Sequence, residues 1–507
     1  MSALAQPLAA SVVQSVDWLA IAPPTVAAVV ALVVLVADLF VPEARKAVLG
    51  WVSVAGLAVS ALLLLPLLDG DRSTFCLTGN QGVCSYTADR FTLVIQFLVL
   101  GGALLAALLS VTALKDGHRR LPEGEFWFLL LSSAAGAALL PASRDLATLI
   151  VALEVASLPA FALVGIRHGD RKSSEAALKF FLSSVTATAV SLMGISFVYA
   201  ATGSLYLTQV ADRIQHVDGQ LHTLAQTGVV LTLVGFAFKT AAVPFHFWVP
   251  DTYVGAPLPV AAYLSVVGKA VGFSGLILVT VVALPSYADV WGPALAVLAA
   301  LTMTVGNVGA LRQQATRAYS AVRLLAWSSV GQAGYLLVPI AAAGYVKDGQ
   351  KAVGSTVAYA LMYAAVNLGA FAVAAVVGRT KHLNRLTDYR GLYASNPLAA
   401  LTLAFFLLCL AGLPPGIIGL FAKVTVFSVA VDAGLGWLAV VMAVNVVIAL
   451  FYYLQWTALL FRAPEGEPAR HRVPAPLTAA IGLTAVLGVA LSGAPQLVLR
   501  FADTGLF

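Results

Sequence analysis

The sequence contains few charged residues and few cysteines. Only 10% of its 507 residues are Asp, Glu, Lys or Arg, whereas a soluble domain has about 25%. This composition excludes an ordinary water-soluble protein. The three cysteines form no cluster that could hold an iron–sulfur centre, and neither a P-loop nor a dinucleotide fingerprint is present. The chain therefore has no evident site for nucleotide hydrolysis or redox chemistry, and its energy must come from partners or an ion gradient.

Hydrophobic residues make up 60% of the chain. They arrive in runs of about 18 residues or more, the length that crosses a ~30 Å hydrocarbon layer. The runs are continuous rather than alternating, so they predict helices and not strands. The net charge of +6 does not indicate nucleic-acid binding, because the basic residues lie in short loops between apolar runs. We therefore expect an all-α integral membrane protein.

The apolar runs predict fourteen transmembrane helices, which we call spans 1 to 14. Their expected ranges are 18–41, 48–68, 90–114, 125–142, 146–166, 174–201, 226–249, 256–283, 291–311, 322–343, 351–378, 397–430, 435–461 and 474–498. The loops between them are short, and none holds a soluble catalytic domain.

Lys and Arg residues are concentrated in the loops that follow odd-numbered spans. These are Arg45, Lys46, Lys115, Arg119, Arg120, Arg167, Arg171, Lys172, Arg312, Arg317, Arg323, Arg379, Lys381, Arg385, Arg390, Arg462, Arg470 and Arg472. The opposite side holds Arg72, Arg90, Arg144, Arg213, Lys347, Lys351 and Arg500. Because basic loops stay inside, both termini are expected on the outer side. Residues 1–17 contain no Lys or Arg, so no signal peptide is expected.

Two of the cysteines, Cys76 and Cys84, lie in the outer loop between spans 2 and 3. In a bacterial protein this side is oxidising, and disulfides can persist there. A disulfide and two free thiols both remain open at this point, and two cysteines alone are a poor metal site. Cys409 lies within span 12 and is expected to be a small packing residue.

Two predicted spans contain prolines deep in their apolar sequence. Span 7 has Pro244 after Lys239, and span 12 has Pro414 and Pro415 before Lys423. Proline breaks helices, and in lipid the freed carbonyls need protein or water as partners. The breaks are five spans apart, so spans 4–8 and 9–13 would form an inverted five-helix repeat, because five is odd. Interrupted helices at matching positions of inverted halves indicate a transport site, and two ordinary proline kinks are the alternative.

The repeat divides the chain into four expected parts. They are an N-terminal three-helix region at 1–120, the first repeat at 121–285, the second repeat at 286–463, and a C-terminal helix at 464–507. The two repeats would carry the discontinuous spans 7 and 12.

Three charged residues lie near the middle of predicted spans: Glu154, Lys239 and Lys269. Glu154 is thirteen residues before Arg167, which is roughly 20 Å along a helix. Lysine cannot snorkel to the surface from such depth, and each charge at the bilayer centre costs at least ~2.5 kcal/mol. They should therefore face the interior, paired or hydrated. A Glu–Lys contact that forms and breaks would switch a lysine between its charged and neutral forms. A static ion pair is the alternative.

Lys179, Lys423 and His246 complete the candidate proton-transfer residues. Lys179 lies about six residues into span 6, and simple snorkelling to the inner interface is its alternative. Lys423 lies within span 12, after the proline break. His246 follows Lys239 by seven residues and shares its face if the helix continues past Pro244. Histidine titrates near neutral pH, and a plain inner-surface residue is the alternative for His246.

Polar residues between the charged ones could hold water. They are Ser183, Ser184, Thr186, Thr188, Ser265, Asn307, Ser328, Ser329, Gln332, Tyr335, Asn367 and Asn445. Each is weak evidence alone, since serine and threonine often bond only to their own helix.

Three separated motifs resemble the antiporter-like membrane subunits of respiratory complex I and their relatives, the multi-subunit cation/proton antiporters. They read FKTAAVPFHFWVPDTYVGAPLPVAAYLSVVGKA, RLLAWSSVGQAGY and LAGLPPGIIGLFAK. The resemblance covers roughly residues 90–460, and fourteen helices with an inverted five-helix repeat are also the family's architecture. The chain is most similar to the subunit N branch, because no lateral helix follows span 14. In addition, span 12 carries Lys423 where subunit M usually has a glutamate.

The resemblance implies that the candidate charges are the family's proton-transfer residues. The matches are Glu154 and Lys239 for the ion pair, Lys269 for the connecting lysine, Lys423 for the terminal lysine and Lys179 for the extra lysine of subunit N. One position departs from the pattern, because Gln332 stands where relatives often have histidine. Glutamine orients water but does not titrate, so a proton relay there would have to use water.

The resemblance further implies a proton-translocating subunit of NADH:quinone oxidoreductase. No cofactor is expected in this chain, while NADH, FMN, iron–sulfur clusters and quinone would bind partner subunits. The expected partners are other antiporter-like and small membrane subunits, lipid, protons and internal water, but no nucleic acid. The expected location is the bacterial inner (plasma) membrane. A subunit of a sodium/proton antiporter and a non-pumping scaffold with the same fold are the alternatives.

Overall fold

The computed structural model describes residues 16–77, 80–116, 121–464, 473–503 and 505–507. Its strands are β1 (Arg72–Leu77) and β2 (Asn80–Ala88). Its helices are α1 (Trp18–Asp38), α2 (Ala47–Leu62), α3 (Arg90–Asp116), α4 (Glu123–Leu139), α5 (Leu146–Val164), α6 (Arg171–Thr202), α7 (Leu207–Arg213), α8 (His222–Thr240), α9 (Trp248–Gly255), α10 (Leu258–Tyr263), α11 (Lys269–Ile277), α12 (Ala288–Leu311), α13 (Ser320–Ala343), α14 (Gln350–Thr380), α15 (Leu392–Ser395), α16 (Pro397–Ala411), α17 (Ile417–Asp432), α18 (Gly436–Phe461), α19 (Ala475–Gly493) and α20 (Gln496–Asp503).

Some residues used in the orientation and signal-peptide predictions lie outside the described part of the chain. They are residues 1–15, Arg119, Arg120, Arg470, Arg472 and the side chain of Lys115. The predictions that rest on them stay predictions.

The described residues contain 13 helical stretches that are long and apolar enough to cross a membrane. The region of predicted span 12 instead contains the two shorter helices α16 and α17. The prediction of a helical integral membrane protein is therefore confirmed. Helix boundaries agree with the predicted ranges to within a few residues wherever no proline or glycine interrupts the helix.

Burial differs strongly among the helices. Two helices, α13 and α14, and the continuous segment Leu258–Ala283 lie in the interior, while α19 is mostly exposed. Within that segment, Leu264–Gly268 and Leu278–Ala283 are π-helical turns that flank α11. The helices that pack closest to one another include α12 with α13, α6 with α8, and α1 with α4. Polar side chains on the buried helices therefore meet protein rather than lipid.

Two helical breaks lie at the predicted prolines. The first follows Thr240, where Ala241 adopts a left-handed φ of 65° and the helix resumes at Trp248. The second follows Ala411, where Gly412 has a φ of 85°. Glycine tolerates this φ because it has no Cβ. Each break leaves backbone carbonyls without a partner in their own helix.

The loop between α2 and α3 forms a β-hairpin that the hydropathy pattern did not predict. Strands β1 and β2 pair antiparallel with Cys76 opposite Cys84, and a disulfide joins these two residues. The choice left open by the sequence is thereby resolved in favour of a disulfide. Tyr86 in β2 donates a 2.9 Å hydrogen bond to the Ala20 carbonyl of α1, which ties the hairpin to the helices.

The expected last span at 474–498 is too long. Helix α19 ends at Gly493, and the chain turns at Ala494 and Pro495 before α20 begins. Proline cannot continue a helix without losing a backbone hydrogen bond. The short helix α20 packs against α14, and the end of the described chain reaches α3, where the Phe91 N–H donates a 3.0 Å hydrogen bond to the Leu506 carbonyl.

A close helix contact next to Lys239 gives a first prediction. A Cβ at Gly272 of α11 would lie 2.6 Å from the backbone nitrogen of Thr240, which is closer than non-bonded atoms approach. Gly272→Val should therefore push α11 away from α8 and destabilise the protein by about 1–3 kcal/mol, as overpacking does in other cores. Gly482→Val is the matched control, because no atom lies within 4 Å of a Cβ there. Equal melting temperatures of the two purified variants would contradict this packing.

Candidate functional site

Lys239 lies in the last turn of α8, and its side chain is only 3% exposed. Its Nζ donates a 2.7 Å hydrogen bond to Ser157 Oγ on α5 and lies 5.6 Å from the centroid of the Phe180 ring. The Ser157 hydroxyl itself donates to the Leu153 carbonyl at 2.6 Å. Its oxygen is therefore oriented to accept from the lysine. The Ser157 hydroxyl and the Phe180 ring therefore fix the position of the Lys239 side chain.

Glu154 is half-buried on α5, and its Oε1 accepts a 2.6 Å hydrogen bond from the Thr188 hydroxyl of α6. Glu154 and Lys239 interact electrostatically, but each bonds to a hydroxyl rather than to the other. Ser157 follows Glu154 by three residues and lies on the same face of α5. The structure therefore adds Ser157, which the sequence analysis missed, as the hydrogen-bond partner of Lys239.

Lys269 is the first residue of α11 and is 2% exposed. It directly follows the π-helical turn at Leu264–Gly268, a feature that is frequent at functional sites. In this turn, Ser265 Oγ accepts a 2.6 Å hydrogen bond from Asn367 Nδ2, and the Ser265 carbonyl accepts a 3.3 Å hydrogen bond from the Tyr363 hydroxyl. Two polar residues of α14 thus contact the turn that positions Lys269.

Lys423 lies on α17 and is 5% exposed. Its Nζ donates hydrogen bonds of 2.9 Å to the Leu410 carbonyl and 2.7 Å to the Ala411 carbonyl. Both carbonyls belong to the last turn of α16, and the helical break leaves them without partners in their own helix. The negative end of the α16 dipole also favours a cation there. The break in predicted span 12 therefore provides the binding site for the lysine side chain.

Gln332 on α13 connects several buried hydroxyls. The Tyr359 hydroxyl donates to its Oε1, and its Nε2 donates to the Tyr453 hydroxyl at 3.4 Å. Tyr453 also lies 2.5 Å from Ser328 Oγ. We call these four residues the Gln332 cluster. Gln332 is absent from the predicted site because it does not titrate, yet its amide is the centre of the cluster.

A small cavity of about 20 Å³ separates the Gln332 cluster from Lys423. It is lined by Gln332, Tyr359, Met362, Tyr363, Val366, Cys409, Leu410, Gly419, Ala422 and Lys423. A cavity needs about 10–15 Å³ to hold one water molecule, together with polar partners. We call this space the Lys423 cavity.

A larger cavity of about 850 Å³ lies at the opposite end of the interior helices. Its walls include the start of α10 at Leu258, the end of α14 at Arg379, and the loop residues Arg167 and Tyr319. These elements belong to the side that the basic loops predict to be the inner side. The cavity therefore begins at the end of the buried segment that carries Lys269.

Two predicted site residues lie apart from the buried set. Lys179 is exposed and forms ion pairs of 2.7 Å with Glu175 and 2.8 Å with Asp251, so the structure supports its surface interpretation. His246 lies in the break between α8 and α9, with its ring 5.5 Å from that of Trp327. The helix ends before His246, so the condition for a shared face with Lys239, a helix that continues past Pro244, is not met. In the described part of the chain, no group of three or more His, Cys, Asp or Glu could hold a metal ion.

Comparisons with known proteins show the family to which the chain belongs. Residues 143–449 match the family described as NADH:quinone oxidoreductase/Mrp antiporter, TM. The chain is 75% identical to NADH-quinone oxidoreductase subunit N 2 of Streptomyces griseus subsp. griseus, over 98% of this chain and 96% of that protein. It is 45% identical to NADH-quinone oxidoreductase subunit N of Salinispora tropica, over 89% and 86% of the two proteins.

Solved structures show the same fold. A chain of respiratory complex I from Thermus thermophilus with bound aureothin superposes with a TM-score of 0.76 at 32% identity, over 95% of this chain and all of that one. A chain of the Mrp complex from Dietzia gives a TM-score of 0.82 over 96% of both chains. Its identity is 22%, so this second likeness concerns the fold alone. On the family match and on these identities, the chain belongs to the subunit N family of NADH-quinone oxidoreductases, the antiporter-like membrane subunits of respiratory complex I.

Proposed function

We propose that this chain is a proton-translocating subunit in the membrane arm of an NADH:quinone oxidoreductase. The observation that carries the proposal is the set of three buried lysines, Lys239, Lys269 and Lys423, in the interior of a membrane bundle. Each buried charge costs at least ~2.5 kcal/mol on insertion scales, and such residues mark ion and proton pathways. Hydrophobic residues of similar volume would give a more stable bundle.

The proposal includes fourteen spans and an inverted repeat. We count α16 and α17 together as one broken span, and α8 with α9 as its counterpart five spans earlier. Lys239 precedes the first break, and Lys423 follows the second. The repeat units would occupy 121–285 and 286–463, between a three-helix region at 1–120 and a last helix at 464–507.

In the first unit, Glu154 and Lys239 would act as a switchable pair. The observed arrangement is the separated one, with Lys239 on Ser157 and Glu154 on Thr188. A carboxylate beside a lysine stabilises the charged form far more than a hydroxyl does. Movement of the lysine side chain from Ser157 to Glu154 would therefore capture a proton, and its return would release one.

Lys269 would receive this proton and pass it to Lys423 in the second unit. The cavity at Arg167 and Leu258 suits water access from the inner side to the start of the Lys269 segment. Lys423 would exchange its proton with the outer side. Lys179 and His246 remain candidates for a role at the inner surface, where charged groups deliver protons to the entrance.

The chain would work only within an assembly. NADH, FMN, iron–sulfur clusters and quinone would bind other subunits, and no cofactor would bind here. Its partners would be the other antiporter-like and small membrane subunits, lipid and internal water. It would lie in the bacterial plasma membrane with both termini on the outer side.

The proposal is tested on the assembled enzyme in proteoliposomes. NADH oxidation by a soluble quinone should acidify one compartment, as measured with a pH-sensitive dye, and removal of Na⁺ should change neither rate nor stoichiometry. A tag on this chain should co-purify the NADH-oxidising subunits. Proton movement that needs Na⁺ but not NADH, or co-purification with small antiporter subunits alone, would instead identify a sodium/proton antiporter.

A further inference from the structure

The hydrogen bonds of Lys423 determine which of its protons can be exchanged. Two N–H groups donate to the Leu410 and Ala411 carbonyls. A neutral lysine amine has two N–H groups, and a charged one has three. The two carbonyls can therefore hold the nitrogen in both states. Only the third position changes, between an N–H in the charged form and a lone pair in the neutral form.

The Lys423 cavity lies beside this nitrogen and has several polar walls. Gln332, Tyr359 and Tyr363 line it together with Lys423. The second N–H of the Gln332 amide, the oxygen of Tyr359 and Lys423 Nζ can supply the two to four hydrogen bonds that a buried water needs, and the volume of about 20 Å³ fits one water. The remaining walls are apolar side chains and small residues.

Tyr363 reaches from the cavity toward the turn that positions Lys269. Its hydroxyl donates to Ser329 Oγ at 3.0 Å and to the Ser265 carbonyl at 3.3 Å. Ser265 lies in the π-helical turn that ends at Lys269. Tyr363 is therefore the side chain that contacts both the Lys423 cavity and the Lys269 turn.

We propose that the Lys423 cavity is a one-water site through which Lys423 gains and loses its proton, and that Tyr363 is the protein group that exchanges protons with this water. This inference rests on the proposed function and gives its last transfer step a route. Gln332 would be a positioning residue, because its amide is held between Tyr359 and Tyr453 and orients the water without titrating.

The transfer is written as a shift along hydrogen bonds. The Tyr363 hydroxyl, which donates to Ser329 Oγ in the observed arrangement, first turns its proton toward the water. The neutral Lys423 amine takes a proton from the water, and the water oxygen takes the hydroxyl proton of Tyr363. The Tyr363 oxygen takes a proton from the Ser329 hydroxyl, which regains one when a proton enters from the Lys269 side. One proton enters, Lys423 becomes charged, and every hydroxyl is restored.

Filling the cavity tests the water. Val366 lines the cavity and is 3% exposed, so Val366→Leu adds one methylene where the water would sit. Positioned proton-transfer groups contribute about 100-fold or more, and we expect NADH-driven pumping by the assembled enzyme to fall about tenfold or further. Val424→Leu is the matched control, because Val424 lies on the exposed face of α17, and it should pump normally.

Removing the Tyr363 hydroxyl tests the relay. Tyr363→Phe should also lower NADH-driven pumping about tenfold or more, because a positioned proton-transfer group contributes about 100-fold or more to the rate. Tyr263→Phe is its control, because Tyr263 is a buried tyrosine that donates a 2.9 Å hydrogen bond to Ser133 away from the cavity. A structure of the wild-type assembly that resolves ordered waters should show one water within hydrogen-bond distance of Lys423 Nζ.

The outcomes separate this inference from the proposed function. Wild-type pumping by Val366→Leu and Tyr363→Phe, with loss of pumping in Lys423→Met, would overturn the water site and leave the proposed function standing. Wild-type pumping by Lys423→Met as well would overturn both. A well-resolved structure without a water in the cavity would overturn the site even if the variants fail to assemble.

Discussion

Replacing Lys239 by methionine should lower NADH-driven proton pumping by the assembled enzyme about 100-fold, in the range that proton-transfer groups contribute. Methionine has nearly the same length and apolar volume, but it carries no proton. The Ser157 hydroxyl loses its lysine donor but still donates to Leu153. The variant should therefore assemble in normal amounts, because Lys239 bonds to Ser157 and not to Glu154, so its replacement breaks no direct buried ion pair.

Lys351→Met is the matched control for this experiment. Lys351 is exposed and pairs with Asp432 at 2.8 Å, and an exposed ion pair contributes only about 0–1 kcal/mol. Assembly is measured on native gels, and pumping in proteoliposomes is measured per assembled enzyme. Normal pumping by Lys239→Met would favour the non-pumping scaffold over the proposed function.

The membrane helices were predictable because the bilayer imposes a strong and local requirement. A helix that crosses it needs about 20 apolar residues, and the chain satisfies this with long runs that end at charged loops. The two breaks were also predictable, because proline acts on its own helix. Pro244 and Pro414 lie within the helical interruptions that the structure contains.

The features that the sequence did not reveal depend on contacts between distant segments. The hairpin of β1 and β2 is short, and its strands are joined by a disulfide that spacing alone did not determine. Ser157 gave one usable signal, its three-residue distance from Glu154. Nothing in the sequence indicated that Lys239 would bond to the Ser157 hydroxyl and not to the Glu154 carboxylate.

The Gln332 cluster shows a second reason why part of the candidate site could not be predicted from the sequence. Titratability was the criterion for selecting site residues, and it excluded glutamine and gave no weight to the tyrosines of α14 and α18. In the structure these groups bond to one another, because a buried polar group without a partner costs roughly 1–3 kcal/mol. Lys179 is the opposite case, since it titrates but lies at the surface with two carboxylates.

Replacing Glu154 by glutamine should impair pumping and coupled turnover without disturbing the fold. Glutamine has the same shape, and its amide oxygen can still accept the hydrogen bond from Thr188. The negative charge that interacts with Lys239 is lost, so a charged lysine has no carboxylate to move toward. We expect about a tenfold fall in NADH-driven pumping, which corresponds to ~1.4 kcal/mol at the transfer step.

Glu125→Gln is the control for the glutamate, because Glu125 is exposed in the first turn of α4. It should pump at the wild-type rate. A full proton-to-electron stoichiometry at normal turnover in Glu154→Gln would contradict the role proposed for the Glu154–Lys239 pair.

A double variant decides whether Glu154 acts through Lys239 or independently. If the carboxylate only controls the charge of the lysine, Glu154→Gln should have no further effect once Lys239→Met has removed that charge. The effects of two residues that act as one unit are non-additive, so the double variant should pump at the rate of Lys239→Met alone. Multiplied losses would mean that Glu154 carries protons itself. In that case Thr188, its hydrogen-bond partner on α6, and not Ser157 would mark the next step of the path.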